Sequence, residues 1–257
     1  MVMIALLTDF GTKDYFVGAM KGAILSINEN VRLVDITHEI EPQNIKSAGF
    51  ALRACYRNFP AKTIFVAVVD PGVGSSRRAI LVVTDDYFFI APDNGLLSFV
   101  FNETENFQVF ELTNRRFWAP EISSTFHGRD LFTPVAAHLS GGVNPSEFGR
   151  EITDFVRFEE NKPRKISESE IEAEIIEIDR FGNLITNLKR EDLPERFVLE
   201  SGANRIEKLR RFFAESGPGE IFMIFGSAGF LEIVAFQDSA KNILKAERGR
   251  KITVKVL

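Results

Sequence analysis

The sequence predicts an α/β N-terminal domain with a mostly parallel sheet, followed by a C-terminal all-β barrel domain. Three observations carry this. In the first half, short β-branched and aromatic runs alternate with stretches of helical spacing, as βαβ layers require. Near residue 158 the chain turns charged and poor in apolar residues, reading FEENKPRKISESE. Beyond it come short strand-like runs with Gly and Asn turns, the pattern of a small antiparallel barrel or sandwich. The domains are therefore placed at 1–157 and 171–257, with 158–170 as linker.

Each element has its own justification. Residues 3–7, 31–36, 63–69, 79–83 and 87–91 are rich in β-branched, aliphatic and aromatic residues over five to seven positions, interrupted by charge only at Arg32 and Asp35, which suits strands covered on both faces. Residues 15–27 place Phe16, Met20, Ile24 and Ile27 at helical spacing, and 43–58 do so less cleanly through Ile45, Phe50, Leu52 and Tyr56. In the second half, EAEIIEIDRFGNLITNL, RFVLE, EIFMIFGSAGFLEIVAF and KITVKVL read as strands, with one helical insert near 206–214.

Composition narrows the class. The 257 residues are 45% hydrophobic and 26% charged, an ordinary globular balance. A net charge of −5 offers no basic surface for nucleic acid. Cys55 is the single cysteine, so an intrachain disulfide scaffold is excluded. The opening MVMIALLTDF reads as a first strand rather than a signal peptide. No apolar run approaches the ~18 residues that span a bilayer, and a cytoplasmic location is expected.

Asp9, Asp35, Asp70 and Asp85 each end an apolar run, and ligands of open α/β sheets bind beyond strand carboxyl ends. An aspartate there can equally cap a turn, but DFGT, DPGVG and PDNG add Gly-rich loops to the pattern. Several familiar sites are missing from the sequence. There is no GxxxxGK[ST], no G-x-G-x-x-G after the first strand and no zinc-ligand spacing around His38, His127 or His138. A carboxylate magnesium site from Asp9, Asp70 and Asp93 stays open as a minor alternative, and the expected metal is none.

Two stretches stand out, VVDPGVGSSRR at 68–78 and STFHGRD at 124–130. The glycines permit tight turns, so Asp70 and Arg77 can approach; His127 sits in a polar loop before a helix-like run. Acid, guanidinium and imidazole together can orient a water. Spacing alone leaves the alternative of a structural ion pair beside a helix-start histidine.

TDFGTKDYFVGAMKG, VDITHEIEPQNI, VVDPGVGSSRRAI, APDNGLLS, STFHGRDLFTPVAAHL, IDRFGNLITNL and FGSAGFLEI follow in one order over nearly the whole chain. Together they resemble the adenosine-forming S-adenosyl-L-methionine hydrolases, whose halogenating relatives are the fluorinases and chlorinases. The resemblance implies hydrolysis of S-adenosyl-L-methionine to adenosine and L-methionine, with no cofactor, in a homotrimer whose active sites lie between subunits. It places the catalytic groups on Asp70, Arg77 and His127. It places substrate-binding groups on Asp9, which would grip the ribose, and on Asp179, Asn183, Ser227 and Glu232, with Phe181 as a contributor to the adenine face. Halogenase relatives carry uncharged residues where Asp70 stands and Tyr where His127 stands, and the fluorinase loop insertion is replaced by the short 84–87. After FGSAGFLEI the chain reads VAFQDSA, with Phe236 where many relatives carry Asn. Two other classes remain to be separated by experiment: a non-catalytic adenosine or S-adenosylmethionine binder, and a metal-dependent nucleotide or phosphoester hydrolase.

Overall fold

A computed structural model describes residues 2–257, in two compact units, Met1–Glu160 and Asn161–Leu257. The first unit contains β1 (Met3–Thr8), α1 (Phe16–Ile27), β2 (Arg32–Thr37), α2 (Ile45–Cys55), β3 (Ile64–Val68), β4 (Ala79–Thr84), β5 (Phe88–Pro92), α3 (Ser98–Glu103), β6 (Phe107–Glu111) and α4 (Thr133–Ser140). Its six strands form one sheet in the order β2-β1-β3-β5-β4-β6.

Alternation along the strands explains why both faces are covered. Ile4 and Leu6 of β1, with Ile64, Val66 and Val68 of β3, join one core with Met20 and Ile24 of α1 and Val135 of α4. Ala5, Leu7, Phe65 and Ala67 point the other way, into a second core with Ala48 and Leu52 of α2 and Val100 of α3. Two apolar faces on one strand require helices on both sides. This is the α/β arrangement the sequence predicts.

Three of the five strand pairings are parallel, β1 with β2, β1 with β3 and β3 with β5. β4 runs antiparallel to β5 and to β6. This reversal has two effects. It sends Asp85, after β4, to the edge opposite Asp9 and Asp70, so Asp85 does not belong with the strand-end acids. It also brings Arg77 and Arg78, just before β4, to the edge where β3 and β5 end, since Ala79 pairs with Pro92.

The second unit contains β7 (Arg164–Ser167), β8 (Glu170–Ile178), β9 (Leu184–Lys189), β10 (Phe197–Ser201), β11 (Asn204–Ile206), β12 (Ile221–Phe225), β13 (Phe230–Ala235), α5 (Ala240–Leu244) and β14 (Lys251–Val256). They form one antiparallel sheet, β11-β10-β14-β8-β9-β13-β12, with β7 on β8. Ala173, Ile175, Ile252 and Val254 face the interior. The alternating positions carry cross-strand ion pairs, Lys251 with Glu174 at 2.7 Å and Lys255 with Glu170.

The sheet curls nearly closed. Segment 208–210 after β11 reaches β12 at the far end of the strand order: Met223 N donates to Lys208 O at 2.8 Å and Arg210 N to Met223 O at 2.9 Å. The helical insert expected at 206–214 is therefore absent. Ile206 ends β11 and Leu209 bridges to Met223. Apolar residues about three apart there serve extended chain that closes the barrel, not a helix face.

Candidate active site

The N-terminal unit holds Asp9, Asp70, Arg77 and His127; the C-terminal unit holds Asp179, Phe181, Asn183, Ser227 and Glu232. Because Thr8 pairs with Val68 in the parallel register, Asp9 and Asp70 leave neighbouring strands at the same edge.

The loop from Asp70 to Arg77 folds on itself. Val73 N donates to Asp70 O at 3.2 Å, Ser75 N to Gly72 O at 3.1 Å, and Ser75 Oγ accepts from Arg77 N at 3.2 Å. Gly74 has φ +77°, and a Cβ there would stand 2.3 Å from Ser124 O. Only glycine lets this loop touch the segment that carries His127. The contact brings together residues fifty apart in sequence.

Three side chains converge as a result. Arg77 Nε donates to both Asp70 oxygens at 2.9 Å, and Nη2 donates to Asp70 Oδ2. Nη2 also lies 2.9 Å from His127 Nδ1. Asp70 and Arg77 are 5% and 11% exposed in their side chains, so the pair sits largely out of water, where a charge-assisted contact is strong. The guanidinium also lies 5.1 Å from the centre of the Phe132 ring.

A guanidinium has only donors, so His127 Nδ1 must accept. That fixes the neutral imidazole with its proton on Nε2. Its surroundings act the same way: burial first, and the Arg77 charge second, hold His127 below the usual imidazole value. His127 is thus a hydrogen-bond donor through Nε2 and cannot take a proton there, which leaves the Asp70 carboxylate as the group able to receive one.

The helix predicted after His127 begins differently. Residues Gly128–Phe132 wind as a π-turn before α4, with Thr133 Oγ1 donating to Gly128 O at 3.0 Å and Arg129 O at 3.1 Å. Such turns occur often at functional sites. Phe126 packs edge-on against Phe16 and Phe10, at 5.2 and 5.9 Å between ring centres, fixing the backbone beside His127. Asp130, which carried no signal in the sequence, is buried and accepts from Ser123 N at 2.8 Å and from Arg129 Nε at 2.6 Å.

Asp9 Oδ2 accepts from Gln43 N at 2.8 Å, and Gln43 sits at φ 67°. Beside it runs a chain the sequence did not flag. His38 is buried, with Nδ1 2.9 Å from Thr8 Oγ1. His38 Nε2 lies 3.0 Å from Asp35 Oδ1, without the angle of a hydrogen bond. Asp35 accepts from Lys21 Nζ at 2.6 Å. Asp35 is thus bound to its own neighbours instead of standing open at the strand end.

In the C-terminal unit the loop between β8 and β9 is held by one carboxylate. Asp179 Oδ1 accepts from Phe181 N and Asn183 N, each at 2.9 Å, and Oδ2 accepts from Asn183 Nδ2 at 2.8 Å. Phe181 projects from its tip, 76% exposed. Glu232 on β13 pairs with Ile224 and Ile185, and its carboxyl covers Gly226, where a Cβ would fall 1.7 Å from Oε1. The Glu232 carboxyl has no side-chain hydrogen-bond partner among the described residues. Burial first, and the nearby Asp179 charge second, push it up to about 7. Ser227 is exposed on the loop that begins at Gly226. Asp179, Glu232 and this loop therefore gather at one end of the barrel.

Among the described residues, no three His, Cys, Asp or Glu side chains form a metal-binding group. Asp70 is engaged by Arg77, while Asp93 accepts from Arg78 Nε at 2.9 Å and Val156 N at 2.8 Å.

Comparison with known proteins bears on this arrangement. Residues 4–149 match the family model described as SAM hydroxide adenosyltransferase N-terminal domain, and residues 173–253 match its C-terminal domain. A protein of Methanocaldococcus jannaschii named (R)-S-adenosyl-L-methionine hydrolase is 35% identical, over 95% of this chain and 92% of its own. A protein of the same name from Thermus thermophilus is 34% identical over 97% and 98%. A fluorinase of Actinoplanes sp. is 29% identical, over 90% of each. The crystal structure of an uncharacterized conserved protein from Thermotoga maritima superimposes with a TM-score of 0.90 at 34% identity, covering 99% of this chain and 100% of that one.

Proposed function

The chain belongs to the SAM hydroxide adenosyltransferase family, and from that premise we infer that it hydrolyses S-adenosyl-L-methionine to adenosine and L-methionine through Asp70, Arg77 and His127. The convergence of these three side chains on one another carries the reading.

The substrate's sulfonium leaves as a neutral thioether, so departure needs no acid. The hard step is attack by water on C5′ of the ribose. His127 Nε2–H donates to the water and Asp70 accepts from it, which orients the oxygen for in-line attack. As the oxygen–carbon bond forms, the carbon–sulfur electron pair passes to sulfur. The oxygen is then that of a protonated alcohol, a strong acid, and its proton passes to Asp70. Arg77 holds the carboxylate in place through two nitrogens and balances its charge. A carboxylate beside the reacting carbon also favours a cationic substrate and repels a halide, which sets this site against halogenation.

Asp9 is assigned to the ribose hydroxyls, with Oδ2 braced by Gln43 and Oδ1 left for ligand. Asp179, Asn183, Ser227 and Glu232 are assigned to the remainder of the substrate, and exposed Phe181 to the adenine face. No cofactor is assigned, since the sulfonium is already activated. The assembly is assigned as a homotrimer with domains 1–157 and 171–257 and its sites between subunits, in the cytoplasm. The exposure of Phe181 and of Tyr15, at 76% and 69%, supports faces covered by a neighbour. No helix among the described residues is long and apolar enough to cross a membrane.

Relatives are named for the (R) sulfonium, so the test uses both sulfur epimers in ¹⁸O-labelled water. Label in adenosine, with faster turnover of the (R) form, is expected. Label in homoserine or methanol, or no adenosine from either epimer, would overturn the assignment.

A further inference from the structure

A cavity of about 600 Å³ opens on the flank of Arg77 and His127, lined by neither Asp70 nor Asp9. Its charge is unusual for an acidic protein. Arg77, Arg78 and Arg115 all reach its wall, against the single carboxylate of Glu111. Glu111 is already paired with Arg150 at 3.0 Å. Arg78 is balanced by Asp93 and Asp154, each at 2.8 Å.

Arg115 is different. Its guanidinium faces the Trp118 ring, 5.6 Å from Cζ to the ring centre, and pairs with no carboxylate among the described residues. Arg77 spends Nε and Nη2 on Asp70 and His127, while Nη1 has no partner among the described residues. Two guanidinium groups with unspent donors thus border one cavity. Ser76 and Thr113 add hydroxyls at its wall, while Ile122, Leu131 and Trp118 supply apolar surface. Convergent cationic donors beside an apolar wall are the features of a site for a small organic molecule.

We propose that this cavity binds an organic anion, a phosphate monoester or carboxylate whose charged group sits on Arg115 and Arg77 and whose apolar body rests on Trp118, Ile122 and Leu131. Planar guanidinium groups suit such oxyanions. The site lies beside the catalytic residues and is distinct from the nucleoside position assigned above, so it does not depend on which reaction the enzyme performs.

The test is direct binding to the full-length protein by calorimetry, with inorganic phosphate and phenyl phosphate as probes, each titrated without adenosine and with adenosine at saturation. Phenyl phosphate is expected to bind more tightly than inorganic phosphate. Arg115→Gln is expected to weaken it about tenfold, the loss of one charge-assisted contact, and Arg115→Lys by less. Arg115 is exposed, so these variants should fold, and far-ultraviolet circular dichroism checks that they do. No binding by about 10 mM, unchanged affinity in Arg115→Gln, phenyl phosphate binding no more tightly than phosphate, or displacement of the probe by adenosine would each overturn the proposal. Because turnover is not the readout, a negative result here leaves the hydrolase reading untouched, and the reverse also holds.

Discussion

Arg77 Nη2 and His127 Nδ1 stand 2.9 Å apart, and this contact sets where the protons of the site reside. With a donor-only guanidinium on one side, the imidazole is neutral and offers Nε2–H on the other. In the proposed mechanism the histidine then positions the water and the aspartate receives its proton.

Acidification should undo that arrangement. His127 is held below its ordinary value of 6.5, by burial and then by Arg77. The unfolded chain therefore takes up the proton first as pH falls, and the histidine's contribution to stability, complete above about 6.5, is lost below it. A pH profile of kcat/KM should show an acid limb with its midpoint below about 6.5. His127→Gln should abolish that limb and slow turnover about 10²-fold. A limb that persists unchanged in the variant would belong to another group.

Charge and geometry at Asp70 can be separated by two substitutions. Asp70→Asn keeps the shape and removes the base, and kcat should fall roughly 10²–10⁴-fold while adenosine still binds. Arg77→Lys keeps the charge but cannot donate from two fixed nitrogens to Asp70 and His127 together. Its kcat should fall about 10-fold or more with little change in KM. Steady-state kinetics and adenosine calorimetry check both.

Glu232 should make the protein less stable toward higher pH. Its carboxyl is raised from 4.5 to about 7, by burial and then by Asp179. Between those values the folded chain holds the extra proton, so stability decreases as pH rises through that window. Glu232→Gln should raise Tm at pH 8 by about 2–6 °C and much less at pH 4.5. An equal shift at both pH values would show that the carboxyl does not titrate as described.

Gly74 should tolerate no side chain. A Cβ would meet Ser124 O at 2.3 Å, and φ is +77°. Gly74→Ala should cost about 1–3 kcal/mol in urea unfolding. It should also lower kcat by more than KM changes, because the loop and the His127 segment part. Wild-type kcat in the variant would show that the contact does not position the histidine.

Much of this was legible beforehand because the central N-terminal strands β1, β3, β4 and β5 are largely buried. Runs of β-branched, aliphatic and aromatic residues located β1 through β5 to within a residue or two. Strand direction left no such mark: nothing in residues 79–83 distinguishes the antiparallel β4 from its parallel neighbours. The pairing of Asp70 with Arg77 was open from spacing, because it depends on Gly74 meeting Ser124, a contact between distant segments. The Asp179 loop and Glu232 were legible only through resemblance. The burial of Asp130 between its neighbours Ser123 and Arg129 was missed because polar residues in a loop give no burial signal, and the chain from Lys21 through Asp35 to His38 was missed because Lys21 and Thr8 reach it from other segments. The apolar spacing at 206–214 misled because a barrel-closing segment can repeat every third residue as a helix does.

The reversal of β4 also decides which parts of the Asp70, Arg77 and His127 cluster are stiff. Arg77 stands two residues before a strand hydrogen-bonded on both sides, whereas Asp70 lies on a loop and His127 at the start of the π-turn. The guanidinium is accordingly the fixed post against which the acid and the imidazole register. Slow amide exchange should centre on the residues after Arg77, and the loops should respond first when a ligand arrives.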